Sequence, residues 1–450
     1  MERTLTKDTP KHVGEEVVVK GWVNVRRDHG KLIFIDVRDR SGLLQVIFNP
    51  QVSSETHAVA ATLKNEDVIE LRGKINARPE KLINPKIASG TVELEATELT
   101  ILAHAAPLPF DTSKETLDAE LPTQLDHRAL TLRHPSIKAV FKVQAVIIDA
   151  FREYMKSQDF FEFQAPSITP ATAEGGAEVF EIKYFDHKAY LSQSPQLYKQ
   201  IVMTAFERVF SVNKIFRAEP SVTTRHLTEA VSLDAEMAFI DSWTDVRDMS
   251  EAVVRYILKR IGKECEAELT MLGATLPVMI EKTPTLSLRE AQEKIFAAMG
   301  KDCRGEKDLN PEDERTICEI IKNETGSDFV YVYGYPTRQK PFYVYPSVEN
   351  PEVNEGMDLL CRGIEWLSGG RRINDYEQLR KHVELWGMEE KKVKMFLDAF
   401  KYGAPPEGGF AFGAERMTMQ ILGLKNVREA CMVPRDLSRI DERFATSEGE

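Results

Sequence analysis

The sequence predicts an α+β fold in two parts: a small N-terminal barrel of five strands, then a larger region built on an antiparallel hairpin with helices around it. Three observations lead there. Between Glu15 and about Leu102, five short runs of strand type follow one another: VVVKGWVNV, KLIFIDVRD, LLQVIF, DVIELRGKI and VELEATELTIL. Between the third and fourth, SSETHAVAATLKNED carries Ala58, Ala61 and Leu63 at roughly helical spacing, with Ser and Thr near its start, which marks one short capped helix. Farther on, Val209 to Ile240 alternates Phe210, Val212 and Phe216 with polar neighbours. It then alternates Val231, Leu233, Ala235, Met237 and Phe239 with Ser232, Asp234 and Glu236. Period two on both sides of a turn rich in Ser, Thr and Pro gives two antiparallel strands, each burying one face.

A chain of 450 residues is long enough for two or three domains, and 42% hydrophobic with 29% charged residues supplies an ordinary core. No apolar run reaches the roughly 18 to 20 residues of a membrane span, and MERTLTKDTPKHVGEE has no apolar signal core. A cytoplasmic protein without a membrane partner is therefore expected. Cys265, Cys303, Cys318, Cys361 and Cys431 form no CxxC pair, which argues against a zinc site and a disulfide framework. The net charge of -12 argues against nucleic acid only until its distribution is considered. Lys20, Arg26, Arg27, Lys31, Arg38 and Arg40 gather in one short stretch.

Five strands with a helix after the third is the pattern of an OB barrel, whose sheet face binds single-stranded nucleic acid. On the second strand Leu32, Phe34 and Asp36 share one face. Phe34 is the one aromatic there for stacking a base, with Arg27 and Gln45 as polar readers. The alternative is that Phe34 is barrel core. The barrel occupies residues 1–104, and a hinge rich in Pro107, Pro109 and Pro122 follows over 105–135.

The region 136–450 opens with a helix capped by Ser136 and striped by Val140, Phe141, Ile147, Ile148, Phe151 and Met155. FFEFQAPSITP is a short strand stopped by Pro166. ATAEGG offers Glu174 beside two glycines, an acid that could close over a cationic group or simply occupy a surface turn. YLSQSPQLYKQ sets Ser194 and Gln196 at strand spacing, with Lys199 beyond. On its charged face the hairpin carries Arg217 and Glu219, and its turn carries Arg225 and His226 with Leu227 beside them. Arginines around one turn can fork onto a polyphosphate or form ordinary surface salt bridges. Helices are expected over Thr244–Ile261 and Leu286–Met299, with Lys301 to Thr325 charged and helix-prone, and FVYVYGYP and PFYVYP read as strands. MDLLCRGIEWLSGGRRIND combines Asp358, Arg362, Glu365, Ser368 and Arg372. Glu365 and Ser368 present two oxygens three residues apart, a partial Mg2+ shell that phosphates and water can complete. Tyr376 to Phe400 is an amphipathic helical region. GGFAFGAER is a strand running through Gly413 into a helix near Ala414 and Glu415, with Arg416 in the first turn, where amides and cation favour anions. SRIDERFATSEGE reads as a solvated tail.

Three of these segments, in this order, resemble the three motifs of class II aminoacyl-tRNA synthetases: FFEFQAP the first, FRAE with RHLTE the second, GAER the third. With the N-terminal barrel, the chain from Gly21 to Asp436 is similar to the aspartyl-tRNA synthetase family in its compact archaeal or eukaryotic form. QSPQLYKQ, ATAEGG, RGIE with SGG, and YGAPPEGG share the resemblance, while GWVNVRRD with LIFIDVRDRSG looks like the anticodon domain of bacterial members. The resemblance implies a class II antiparallel sheet flanked by helices, ATP-dependent activation of L-aspartate, and transfer to tRNA(Asp), with tRNA(Asn) open as a second acceptor. It also implies Mg2+ and, from the motif around Pro166, a homodimer. Asparaginyl-tRNA synthetase shares the architecture, but Lys199 gains nothing from a neutral amide. A paralogue that binds without charging is the other reading.

By motif match, Arg217 holds the carboxylate and α-phosphate, and Glu219 takes the adenine amino group. Arg225, His226 and Leu227 attend the outer phosphates, and Arg416 lies against adenine and γ-phosphate, with Gly413, Ala414 and Glu415 beside it. Glu365 and Ser368 hold magnesium, with Asp358 a further candidate. Glu174, Ser194 and Gln196 take the ammonium, and Lys199 with Arg372 pairs the side-chain carboxylate. Arg27, Phe34 and Gln45 match the readers of the central anticodon base. Three positions depart from the family pattern: Ala230 for an aromatic, Arg371 for Gln, and Glu407 for His.

Overall fold

A computed structural model describes residues 2–114, 116–170, 178–220 and 223–444. It contains two compact units, Met1–Glu120 and Leu121–Glu450. In the first unit, β1 (Glu16–Asp28), β2 (Ile33–Arg38), β3 (Leu43–Phe48), α1 (Ser54–Ala60), β4 (Val68–Ala77) and β5 (Val92–Ala103) follow in order. The strands close into a barrel in the order β1-β2-β3-β5-β4, and the helix lies after the third strand as its composition predicts. Ser53 caps that helix by accepting from the Thr56 amide at 3.2 Å. Val19, Val23, Ile33, Ile35, Val37, Leu44, Val46, Ile69, Leu71 and Leu94 fill the interior, one per two residues, as strand alternation requires.

The second unit begins with helices α2 (Leu121–Asp126) and α3 (Arg128–Thr131), where the sequence suggests only a hinge. The long α4 (Pro135–Ser157) follows. Its cap is His134, not Ser136: proline takes the first helical position, and the Ser136 amide donates to His134 Nδ1 at 3.3 Å. Next come β6 (Phe161–Glu162), a small sheet of β7 (Ile168–Thr169), β8 (Glu181–Tyr184) and β9 (His187–Leu191), and then α5 (Gln196–Phe206). The hairpin is β10 (Arg208–Phe216) and β11 (Glu229–Ala238), paired in register from Arg208 opposite Met237 to Phe216 opposite Glu229. Phe239 leaves the alternation, with φ of 58° and most of its ring exposed.

Helices α6 (Trp243–Glu264) and α7 (Glu266–Leu272), β12 (Thr285–Ser287), and helices α8 (Leu288–Met299) and α9 (Pro311–Thr325) lead to β13 (Phe329–Tyr333), β14 (Gly356–Cys361) and β15 (Ile364–Arg372). PFYVYP makes only isolated bridges at Val344 and Pro346. The helical region after Tyr376 breaks into α10 (Tyr376–Leu385) and α11 (Lys394–Lys401), because Gly387 adopts φ of 71° between them. The chain then enters β16 (Glu407–Gly413) and α12 (Ala414–Leu422).

Eight strands form one sheet in the order β12-β13-β14-β15-β16-β11-β10-β6. Phe210, Leu233, Trp366, Leu367, Phe410 and Phe412 pack from the sheet into one core with Val143, Ile147 and Phe151 of α4 and Val253, Val254 and Ile257 of α6. The segment after α12 is not simply solvated up to Phe444. Arg439 is buried, bonds the Pro122 carbonyl at 3.3 Å, and with Arg443 pairs Asp126. Among the described residues, no helix is long and apolar enough to cross a membrane.

Candidate active site

One face of the sheet packs on α4 and α6. The other is covered at β13 and β14, where Val330, Val332 and Leu360 meet Ile295, Ile317 and Ile321 of α8 and α9, and is open over β15, β16, β11 and β10. Opposite Phe210, Leu233, Phe410 and Phe412, the alternation turns Ser232, Asp234 and Ala411 toward a cleft. Glu365 and Ser368 are three residues apart and would fall on opposite faces of a regular strand. A bulge resolves this: Leu359 pairs with Leu367 and Leu360 with Glu365, leaving Trp366 as the extra residue. Trp366 and Leu367 both enter the core, and both oxygen-bearing side chains reach the cleft. The cleft has two adjoining cavities that share Ile215, Arg217, Ser232, Glu365, Ser368 and Ala411.

The first cavity is lined by Arg217, Glu219, Arg225, His226, Leu227, Ala230, Glu365, Gly413, Glu415 and Arg416 among others. Its arginines are partly engaged. Arg225 pairs with Glu314 of α9 at 2.9 Å and donates to the Gly363 carbonyl at 3.2 Å. Arg416 holds Glu365 at 3.1 Å. The Arg217 Nε is buried and has no hydrogen-bond partner among the described residues. An unmatched guanidinium N–H in a polar cleft suits an incoming oxyanion. Burial, and then the charge of Arg416, holds the His226 imidazole below its usual range, although Glu219 opposes this. Burial, and then the neighbouring Glu365, pushes the Glu314 carboxyl up to about 7. Glu415 accepts the Val231 amide with both oxygens, at 3.1 and 3.0 Å, and burial raises it to about 6. It thereby ties α12 to the hairpin. Ala414 does not line the cleft: as the first residue of α12 it turns into the core.

The second cavity is the more buried. Ser194, Gln196, Lys199, Arg217, Asp234, Lys340, Tyr343 and Arg372 line it. Gln196 and Lys199 lie on the first turn of α5 and not on a strand, and the Ser194 hydroxyl accepts the Gln196 amide at 3.1 Å. Lys199 is 1% exposed, with Asp234 at 3.2 Å and Glu236 at 3.1 Å. Arg372 donates to Glu236 at 3.0 Å and to the Gly409 carbonyl at 3.0 Å. Asp358 is held by Lys340 at 2.6 Å, which leaves Glu365 and Ser368 as the more available oxygens. Among the described residues, no group of three or more acids, histidines or cysteines could hold a metal unaided. Glu174 lies outside the described residues.

In the first unit, Phe34 is not barrel core. Ile33 and Ile35 point inward, whereas Phe34 is half-buried on the outer face with His29 edge-on at 5.5 Å. Arg27 stands opposite Phe34 in the β1–β2 register, and Gln45 stands opposite Asp36. Arg27 forks onto Asp36 at 2.7 and 2.8 Å, and Gln45 donates to Glu93 at 2.9 Å.

Known proteins match both units. The tRNA synthetases class II (D, K and N) profile covers residues 120–437, and an OB-fold nucleic acid binding domain covers 17–102. The chain belongs to the class II tRNA synthetases. It is 40% identical to the aspartate–tRNA(Asp/Asn) ligase of Deinococcus radiodurans, over 98% of this chain and 99% of that one. It is 38% identical to the aspartate–tRNA(Asp) ligase of Pyrococcus horikoshii, over 95% and 96%. An asparaginyl-tRNA synthetase from Pyrococcus horikoshii, solved with asparaginyl-adenylate, superposes with a TM-score of 0.90 at 30% identity, over 98% and 99%. An aspartyl-tRNA synthetase from Entamoeba histolytica gives 0.87 at 27%, over 98% and 93%.

Several residues of this synthetase's cleft escape the sequence reading. Glu314 lies on a helix that reads only as charged, yet it binds Arg225. Asp234 and Glu236 read as the polar side of a strand, and β16 beside them together with Lys199 of α5 over them buries both. Lys340 carries no local signal. The departures differ in weight: Ala230 lines the first cavity, whereas Arg371 lines neither, stacking 4.3 Å from the Tyr345 ring centroid. Glu407 also lines neither cavity: it is fully buried and accepts from Gln200 Nε2 at 2.6 Å.

Proposed function

We propose that this synthetase is an aspartate–tRNA ligase: it joins L-aspartate to ATP as aspartyl-adenylate and transfers the aspartyl group to the 3' end of tRNA(Asp). The observation that carries this reading is the pair of cations, Lys199 and Arg372, at the closed end of the cleft. Asp234 and Glu236 already balance this ammonium and guanidinium, but their N–H groups suit a carboxylate side chain, which accepts with both oxygens, whereas an amide would turn its own NH2 donors toward one of the cations. That argument favours aspartate over asparagine despite the similar shape of the asparaginyl enzyme. Ser194, Gln196 and Glu174 would take the ammonium of the amino acid.

Arg217 belongs to both cavities, and in this reading it binds the attacking carboxylate and the α-phosphate together. The carboxylate oxygen attacks the α-phosphorus, the bond to the β-phosphate bridge breaks, and pyrophosphate leaves. A ribose hydroxyl of tRNA then attacks the carbonyl carbon and AMP leaves. No protein nucleophile is required; the chain supplies alignment and fixed positive charge. Arg225, His226 and Leu227 take the outer phosphates, Arg416 takes adenine and the γ-phosphate, and Glu219 takes the adenine amino group. Gly413, Ala414 and Glu415 support that end, Glu415 through the Val231 amide. Glu365 and Ser368, two oxygens on one face of the cleft, would hold Mg2+, and the ion would neutralise phosphate charge.

Residues 1–104 serve as the anticodon-binding barrel through Arg27, Phe34 and Gln45; of the expected hinge over 105–135, the part before α2 serves as the connection, and α2 and α3 belong with residues 136–450 in the catalytic domain. A cytoplasmic homodimer completes the proposal. The exposed stack of Phe161 on Phe206, with centroids 4.3 Å apart beside the first motif, supports an interface there, and light scattering tests it. Substrate identity is tested by ATP–pyrophosphate exchange: aspartate drives it, and exchange driven by asparagine alone would overturn the assignment. Charging transcripts of tRNA(Asp) and tRNA(Asn) side by side decides whether tRNA(Asn) is a second acceptor.

A further inference from the structure

Behind Lys199 and Arg372 lies a layer of charge that the reaction above leaves unused. Glu236 on β11 and Glu407 on β16 are both 0% exposed. Their strands run antiparallel with Glu236 opposite Gly409 and Ala238 opposite Glu407, so the two carboxyls are diagonal neighbours. Arg372 stands opposite Glu407 on its other side. Gly409 makes this approach feasible, since a Cβ there would lie 2.2 Å from Glu236 Oε2.

The donors around the pair do not suffice for two carboxylates. Lys199 Nζ lies 3.1 Å from Glu236 Oε2, Arg372 Nε donates to Glu236 Oε1 at 3.0 Å, and Gln200 Nε2 donates to Glu407 Oε1 at 2.6 Å. Glu407 Oε2 is buried and receives no donor among the described residues. One proton meets that deficit: on Glu407 it satisfies the orphan oxygen and donates into Glu236. Gln196 donates to Gln200 at 3.0 Å and Gln200 to Glu407, and a proton on Glu407 would extend this directed chain to Glu236, whose Oε2 is likewise buried without a hydrogen-bond donor among the described residues.

We propose that Glu407 is a positioning residue of the amino-acid pocket, a buried carboxylic acid whose hydrogen bond to Glu236 sets Arg372 and Lys199 for a substrate carboxylate. Burial, and then the charge of Glu236, pushes the Glu407 carboxyl well above the usual range. Burial works against the ionised form of Glu236 as well, but Lys199 and then Arg372 hold it below that range. The groups facing the pair are Lys199 and Gln200 from α5, Asp234 from β11, Arg372 from β15 and Tyr343 from the segment before β14. With Glu407 neutral, the two cations balance Asp234 and Glu236. With Glu407 ionised, an incoming carboxylate would meet a net negative end.

This inference rests on the aspartate reading, but its first test needs no substrate. Infrared difference spectra of the full chain, wild type minus Glu407→Gln at neutral pH, are expected to show the carbonyl stretch of a protonated carboxylic acid. Absence of that band in the folded protein overturns the proposal. In ATP–pyrophosphate exchange, Glu407→Ala raises KM for aspartate about tenfold or more with kcat changed less than about threefold, and Glu407→Gln, which keeps both hydrogen bonds, restores KM to within about threefold. A Gln variant as impaired as the Ala variant also overturns it. Failure of the aspartate assignment would appear in the wild-type enzyme, whereas failure of this proposal appears in the difference spectrum.

Discussion

The barrel face around Phe34 and the cleft around Lys199 are both polar faces of β-sheets, and they differ in what surrounds their charges. On the barrel, Arg27 and Asp36 form a forked pair with side chains 40% and 21% exposed. In the cleft, Lys199, Asp234, Glu236 and Arg372 are all within 5% of complete burial. Exposed pairs contribute about 0–1 kcal/mol and rearrange readily. Buried charges gain rigidity from low dielectric, and removing one member of a pair costs about 3–5 kcal/mol. A surface of the first kind can adapt to a flexible single strand. A site of the second kind holds a fixed template for one small anion.

Lys199→Ala strikes the buried side hardest. It leaves Asp234 and Glu236 without their ammonium, and we expect about 3–5 kcal/mol loss of stability in thermal unfolding. Aspartate-dependent exchange should fall on the order of a hundredfold or more in kcat/KM. A loss no larger than that of an exposed pair would erase the contrast. Glu314→Gln probes the phosphate end through pH. The Glu314 carboxyl, at about 7, lies above its ordinary range, so the native chain keeps a proton that the unfolded chain releases. Its stabilising contribution is complete below the unfolded value and is lost as pH rises through about 7. Unfolding midpoints measured across that window should decline more in the wild type than in the Gln variant, by at most a few kcal/mol; parallel declines would refute it.

On the exposed side, Phe34→Ala should weaken tRNA binding by about 1–3 kcal/mol, the scale of one base stack, while ATP–pyrophosphate exchange stays intact. Equal loss of both would mean that the ring supports the fold. The smallest effect is expected for Arg27→Ala, under about 1 kcal/mol in unfolding, because Asp36 is left near water.

What the sequence reveals follows the same division. The barrel's five strands and its helix are legible because each strand alternates by itself, and Ile33 and Ile35 against Phe34 need no knowledge of neighbours. The hairpin and GAER are legible for that reason too, and a family resemblance draws Arg217, Arg225 and Arg416 together across nearly 200 residues. The buried charges are another matter. Glu236 and Asp234 look solvated from β11 alone, and their burial depends on β16 as the next strand and on Lys199 of α5 over them. Glu314 comes from a helix with no motif, and Ser136 loses the cap to His134 because Pro135 claims the first turn. Such features are properties of pairings between distant segments, which local periodicity does not encode.

Trp366 gives β15 one residue more than its partner strand, and with it the core and the cleft cease to be independent variables. Deleting that residue would reverse the facing of everything on one side of it and turn Glu365 or Ser368 toward apolar side chains. Substituting the indole changes the volume directly behind those two oxygens. Sequence drift at the back of this strand is therefore filtered by chemistry at its front, so that a packing residue is inherited as though it belonged to the reaction.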